Sequence, residues 1–422
     1  MTRRPSRQLR SLRATAFTDP THRVKALWVL AMLGYGIRIA IWLLSDGSND
    51  IRTWRTFAEI IRDLGLAETY RSQTLFNHPP LMGWWSVVAL DIADRRVLTF
   101  AQVFKIPSLV AEVITGFLLL TEWTKRGGLS QARQALAVYG LSISCILISA
   151  FHGNTDAIYF CLTFASAYLL ERGRPLTAGS TLAAAMNVKL IPALLIFPLA
   201  SRCARWADVR RFLAGSALGV LPFVVAVITF DGEQRSHFVD NVFRYQSNRE
   251  NWGVELAVRL GYGLTRSFSA TLADALQRSG DWYAVHGAAV LFVGSCVFAC
   301  WHAWWIRGHR GRPFDAYQLA ALTFGGFLLL GSGFGVQYVG CIVAPLLAWS
   351  IWDGLLVSSM TGLFIGALYA RFMVRWLPMA SQHEPIPRSF IGFSIIVWIT
   401  VAAVCVRLGK GVRHARIRGR PV

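Results

Sequence analysis

Apolar residues run in long blocks along most of the chain, separated by short polar stretches. A helix needs ~20 apolar residues to cross a bilayer, and Ala26 to Leu44 is the first block that meets this. The segment after it has a different period. Ile51, Trp54, Phe57, Ala58, Ile61 and Leu64 fall on one helical stripe, with Arg52, Arg55, Glu59 and Arg62 opposite. This pattern predicts a helix lying along the membrane surface, with Ser48 or Asn49 as its N-cap. His78-Pro79-Pro80 then breaks the chain, and Leu81 to Val97 is expected to be re-entrant or surface-lying.

The later blocks sort by the charge of the loops between them. Phe104 to Leu120, Ala135 to Ala150 and Ala157 to Leu170 read as spans. They are joined by the basic run Lys125 to Arg133 on one side and by Phe151 to Asp156 on the other. Leu176 to Asn187 and Leu190 to Leu199 are each too short to span, with Lys189 between them, and predict a broken pair of short helices. Further spans are expected at Phe212 to Phe230, Val285 to Ile306, Ala316 to Leu330, Tyr338 to Trp352, Leu355 to Phe372 and Phe390 to Cys405. The expectation is an all-α, polytopic transmembrane bundle of about twelve spans. It divides into a basic cytoplasmic tail (1–25), a membrane domain (26–407) and a second basic tail (408–422). Within the membrane domain, 46–102 forms a first outer loop and 231–281 a second. Arg371, Arg375 and Arg388 fall on the outer side, against the general trend.

Composition agrees with this reading. Hydrophobic residues make up 54% of the chain and charged residues 16%, against about a quarter charged in soluble domains. The net charge of +20 would point to nucleic acid in a soluble protein. Here the excess lies in tails and short loops, as the positive-inside rule requires, and anionic lipid head groups account for it. The seven cysteines sit mostly in apolar blocks without CxxC spacing, which argues against a disulfide framework. The Arg-rich N-terminus reads as a retained tail, not a cleaved signal.

Several polar clusters share the predicted outer side: Asp46 to Asp50, Asn77-His78, His152 to Asp156, Lys189, Arg244 to Glu255, and Gly333 to Tyr338. Ionisable residues at membrane depth are costly and usually functional. Asp50 reads either as a helix cap or as a general base kept ionised by a helix N-terminus. His152 and Asp156 lie four apart and could orient substrate hydroxyls or ligate a metal, although no third ligand lies nearby in sequence; Asp156 could also be a plain N-cap. Lys189 reads as a phosphate contact or as a snorkelling lysine. Arg244 and Arg249 read as a second phosphate contact or as part of a solvated loop. The tryptophan runs read as an interfacial belt. No GxGxxG, P-loop, GxSxG or HExxH element occurs.

The ordered set SNDIRTW around Asp50, HPPL (His78 to Leu81), HGNTD (His152 to Asp156), NVKLIP (Asn187 to Pro192), the Tyr245 to Gly253 loop and GFGVQY (Gly333 to Tyr338) resembles the GT-C superfamily of membrane glycosyltransferases. The resemblance implies an inverting transfer of a mannose-like or other hexose or pentose unit from a polyprenyl-phosphate donor, with Asp50 as base. His78, His152, Asn154, Asp156, Lys189, Arg244, Tyr245, Gln337 and Tyr338 would contact substrate, with Lys189 and an arginine on the lipid phosphate. The acceptor would be a glycolipid, polysaccharide or protein, and the site would face outward from a bacterial inner membrane with both termini inside. The superfamily's surface helices in the first outer loop match the Ile51 to Leu64 stripe. No DxD pair occurs, so no cofactor is expected and a divalent metal is the disfavoured alternative. The competing reading is a transporter or flippase for a lipid-linked saccharide, since broken helices also serve transporters. An acyl- or phosphotransferase lacks an identifiable nucleophile.

Overall fold

The computed structural model describes residues 20–243, 252–308, 314–333, 335–372 and 388–414, and among these all regular structure is helical. The chain is a multi-pass membrane protein. Six helices are long and apolar enough to cross a bilayer, and four shorter apolar helical stretches accompany them among the described residues. Large apolar side chains such as Val29, Leu221, Val225, Ile228 and Val293 lie exposed along the long helices, as a lipid-facing surface demands.

Helix α1 (Pro20–Leu44) leads to α2 (Asn49–Leu64), α3 (Leu66–Ser72) and α4 (Pro80–Asp94). Ser48 caps α2, accepting a hydrogen bond from the Asp50 N–H. The apolar stripe of α2 is buried from Ile51 through Ile61, while Leu64 is exposed. It meets protein and not lipid: Trp54 packs against Phe76, His78 and Phe104, and Phe57 against Phe76. The predicted helix is present, and Phe76, His78 and Phe104 of the same chain cover its apolar face.

Helix α5 (Phe100–Gly140) is interrupted at Gly128, whose φ of 78° and ψ of 174° stop the helical path. A Cβ on Gly116 would lie 3.0 Å from Leu136, and Arg38 bonds both Glu112 and the Gly140 carbonyl. The segment after Gly128 therefore doubles back along the segment before it, making the helical hairpin that the basic run Lys125 to Arg133 predicts. The return leg continues through α6 (Ile143–Ile146) into a wider π-helical turn, Leu147–His152. Helix α7 (Asp156–Glu171) and α8 (Pro175–Val188) follow. The predicted break is found at Lys189, whose backbone is extended (φ −158°, ψ 146°). A 3₁₀ turn (Ile191–Leu195) and α9 (Ile196–Ala200) come next.

The remaining helices are α10 (Trp206–Ile228), α11 (Gly232–Phe243), α12 (Gly253–Thr265), α13 (Ala270–Gly308) and α14 (Ala316–Leu330). After them come a 3₁₀ turn (Val336–Gly340), α15 (Val343–Trp349), α16 (Ile351–Phe372) and α17 (Arg388–His414). The expected span Tyr338 to Trp352 is thus divided, with extended backbone at Ser350.

Two polar ends bracket the apolar body. At one end the predicted inner loops meet in an ion-pair network. Arg172 reaches Glu122 at 2.8 Å and Arg202 reaches Glu171 at 2.9 Å, while Arg126 contacts Glu122 and Asp315. Glu171 also accepts the Ala316 N–H at 2.8 Å. In the body, Arg38 and Glu112 form a buried pair at 2.8 Å, and Arg38 also donates to the Gly34 and Tyr139 carbonyls. Gly34 makes this approach possible, since a Cβ there would fall 2.0 Å from the Gly140 oxygen. Breaking a buried pair leaves an uncompensated charge, so Glu112→Gln should destabilise the fold by about 3–5 kcal/mol. Thermal unfolding in detergent checks this, and an unchanged midpoint would contradict it.

Candidate functional site

The opposite polar end gathers residues from far-separated segments. Ser48 is the first link: its hydroxyl donates to the His152 carbonyl at 2.8 Å while accepting the Asp50 N–H at 3.3 Å. One side chain thus caps α2 and ties it to the turn after the π-helix. That turn needs Gly153, at φ 72°, where a Cβ would lie 2.5 Å from the Ile51 side chain. Lys105, fully buried in α5, holds the same junction from below, donating to the Ser45 carbonyl at 2.7 Å and the Ala150 carbonyl at 3.2 Å. Ser108 donates to the Asn154 carbonyl at 3.2 Å.

Asp50 therefore does not cap its helix; Ser48 does. Its carboxylate turns to the 152–156 turn, where Oδ2 accepts from Asn154 Nδ2 at 2.7 Å and lies 3.2 Å from His152 Nε2. The Thr155 N–H donates to Asn154 Oδ1 at 2.7 Å, which fixes the amide so that its NH₂ faces the carboxylate. The Asp50 side chain stays 38% exposed. Both contacts fall on Oδ2, leaving Oδ1 available to a ligand. Burial pulls the Asp50 carboxyl up, but His152, Lys189 and His78 outweigh it and hold the group below its ordinary 3.8.

Asp156 is not an N-cap either. Thr155 occupies that position, without a side-chain cap bond, and Asp156 is the first helical residue. Fully buried, it takes Lys189 Nζ on Oδ1 at 3.0 Å. Lys189 Nζ also lies 4.6 Å from the Tyr338 ring centroid and 5.9 Å from that of Tyr159. His78 joins the two halves. Its Nδ1 approaches the Val188 carbonyl at 3.4 Å, just before the break, and its own carbonyl accepts from the Tyr70 hydroxyl at 2.7 Å. A carbonyl accepts, so Nδ1 carries the proton and Nε2 is bare. Burial, with Lys189 nearby, pushes His78 down to about 3, so it is neutral at ordinary pH.

The structure thus brings together Asp50, His78, His152, Asn154, Asp156, Lys189 and Tyr338. Gln337 is half-buried and folds back on Gly335, whose Cβ would meet its amide at 2.9 Å. Arg244, Tyr245 and Arg249 lie outside the described residues. Three further residues belong to the cluster. Lys105 was signalled by a charge at the edge of an apolar block. Tyr159 and Tyr369 had no signal, because aromatic residues in spans read as core. Tyr369 stacks on His152 at 5.6 Å and 19°. Its hydroxyl is buried without a hydrogen-bond partner among the described residues, a state that costs about 1–3 kcal/mol. Among the described residues no three His, Cys, Asp or Glu side chains converge as metal ligands would.

The sequence model of glycosyltransferase family 87 matches residues 97–333, more than half of the chain. The chain belongs to this family. The match contains His152, Asn154, Asp156 and Lys189 and starts after Asp50 and His78. No curated protein sequence matches this family 87 glycosyltransferase. Among solved structures it is similar to ArnT from Cupriavidus metallidurans bound to undecaprenyl phosphate, with 14% identity and a TM-score of 0.46. That alignment covers 93% of this chain and 74% of ArnT.

The arrangement around Asp50 sets its pH behaviour. An acid whose pKa is lowered is ionised above that value, so the acid limb of kcat/KM due to Asp50 should lie below 3.8. His152→Gln removes the leading stabilising charge and should move that limb upward; an unmoved limb would show that His152 does not act on Asp50. His78 should show no titration near 6.5 when followed by NMR of labelled histidine.

Proposed function

We propose that this family 87 glycosyltransferase moves a monosaccharide, mannose-like or another hexose or pentose, from a polyprenyl-phosphate donor to an acceptor hydroxyl, with inversion. The observation that carries this reading is the pairing of two charge sites at one polar end. Asp50 is presented on an exposed edge with Oδ2 steadied by Asn154 and His152. Beside it, Lys189 is held at a helix break by Asp156.

In the reaction, Asp50 Oδ1 takes the proton of the acceptor hydroxyl. The acceptor oxygen forms a bond to the anomeric carbon as the bond from that carbon to the phosphate oxygen breaks. The polyprenyl phosphate leaves with the electron pair, and Lys189 offsets its charge. Asp50 acts as a base and not as a metal ligand: the Asn154 amide donates to Oδ2 and His152 lies beside it, which favours the anion that accepts a proton. Arg244 serves as a second phosphate contact, and Tyr245, Gln337 and Tyr338 contact the saccharide. The lack of any nucleotide-binding motif supports a donor that is already lipid-linked.

The site end lies opposite the network built from basic loops, which supports an outward-facing site in the cytoplasmic membrane with both termini inside. The acceptor is a glycolipid, polysaccharide or protein glycan. The helix break at Lys189 also suits a flippase for a lipid-linked saccharide.

Positioned general bases contribute about 10²–10⁴-fold, so Asp50→Asn should lower turnover by that factor and leave donor binding intact. Purified protein incubated with a panel of polyprenyl-phosphate sugars, with released polyprenyl phosphate as readout, checks this. Wild-type turnover in the variant would remove Asp50 from the mechanism. Proteoliposomes that move labelled lipid without making a glycosidic bond would favour the flippase.

A further inference from the structure

Tyr369 reaches the site from the end of α16. Its ring lies 5.6 Å from His152 at 19° and 5.6 Å from Phe151 at 51°, so it is held on two sides. The residue is 7% exposed, and its hydroxyl makes no hydrogen bond among the described residues. The histidine it stacks on lies with Nε2 3.2 Å from Asp50 Oδ2. The Tyr369 hydroxyl is therefore held in place, able both to donate and to accept, beside the group that contacts the proposed base.

In an inverting displacement the attacking oxygen and the leaving phosphate lie on opposite sides of the anomeric carbon. A base at Asp50 and a phosphate at Lys189 therefore leave one part of the substrate between them, the sugar being transferred. Such a sugar offers neutral hydroxyls, which suit a phenol; the phosphate has a cation and the acceptor has a carboxylate. We propose that the Tyr369 hydroxyl is a saccharide-binding group that hydrogen-bonds a hydroxyl of the transferred sugar. The proposal rests on the transfer described above.

Tyr369→Phe keeps the ring against His152 and removes only the hydroxyl. With the polyprenyl-phosphate sugar that wild type turns over fastest, the variant should lose about 2- to 12-fold in kcat/KM, the range of one net hydrogen bond. The acid limb of its pH profile should not move, because Asp50 and His152 are untouched. The decisive measurement pairs this variant with the series of monodeoxy analogues of the same donor. One analogue should lose a similar factor with wild type and nothing further with Tyr369→Phe, since both changes delete the same bond. Wild-type kinetics in Tyr369→Phe would overturn the proposal, and so would losses that simply multiply for every analogue. Thermal melting of the variant separates a folding defect from a binding one. A wild-type protein inert toward every polyprenyl-phosphate sugar would overturn the transfer and this inference together. An active wild type with an unaffected Tyr369→Phe would overturn only the latter.

Discussion

The buried ion pair between Lys189 and Asp156 constrains everything around it. An ammonium and a carboxylate withdrawn from water cost several kcal/mol each unless they meet in good geometry. Here they meet at 3.0 Å, with the aspartate fully buried. The lysine reaches its partner from extended backbone at the end of α8. The carboxylate sits in the first turn of α7, where the helix dipole favours an anion. Fixing that first turn fixes the residues just before it, Asn154 and Thr155, and through them the amide that faces Asp50. Buried pairs seldom add stability over apolar packing. Its presence beside the Asp50 cluster is therefore better explained by the charges it presents than by the energy it supplies.

Ser48 and Asp50 illustrate how a cap and a proposed base divide their work. A carboxylate in the first turn of α2 has two uses, closing the helix or facing a ligand, and it cannot do both well. Ser48 takes the first task and adds a bond to the His152 carbonyl, which frees the aspartate for the second. The π-helical turn before His152 serves the same end. Such turns insert extra backbone and are frequent at functional sites. Here the turn delivers His152 and Asn154 to the same oxygen of Asp50.

Much of this was legible in the sequence because charge in an apolar chain is conspicuous. Asp50, His152, Asp156 and Lys189 stand out against blocks of Leu, Ala and Phe, and basic loops sort which end they share. The breaks at His78 to Pro80 and at Lys189 were legible for the same reason, since proline and isolated charge interrupt helical blocks. What the sequence does not encode locally is which face of a span looks inward. Tyr159 and Tyr369 are ordinary aromatic residues in apolar helices, and only tertiary packing brings their rings to Lys189 and His152. Asp156 has a partner that was not legible, for the same reason. Its position before an apolar run suggests an N-cap, whereas the cation that claims it lies a helical hairpin away.

The apolar stripe of α2 is the clearest case of packing overriding a local pattern. Read alone, its period places the helix on the bilayer. In the fold, Trp54 and Phe57 are enclosed by Phe76, His78 and Phe104, so the helix is a wall of the protein. This difference bears on catalysis. A helix floating in the head-group layer would hold Asp50 only as precisely as lipid permits. A helix packed against α5 and the His78 loop is tied to the same elements that carry Lys105, Asn154 and the Val188 carbonyl. The separation between the proposed base and the cation proposed to face the leaving group is then set by close-packed side chains, and such precision is what positioning a reacting hydroxyl requires.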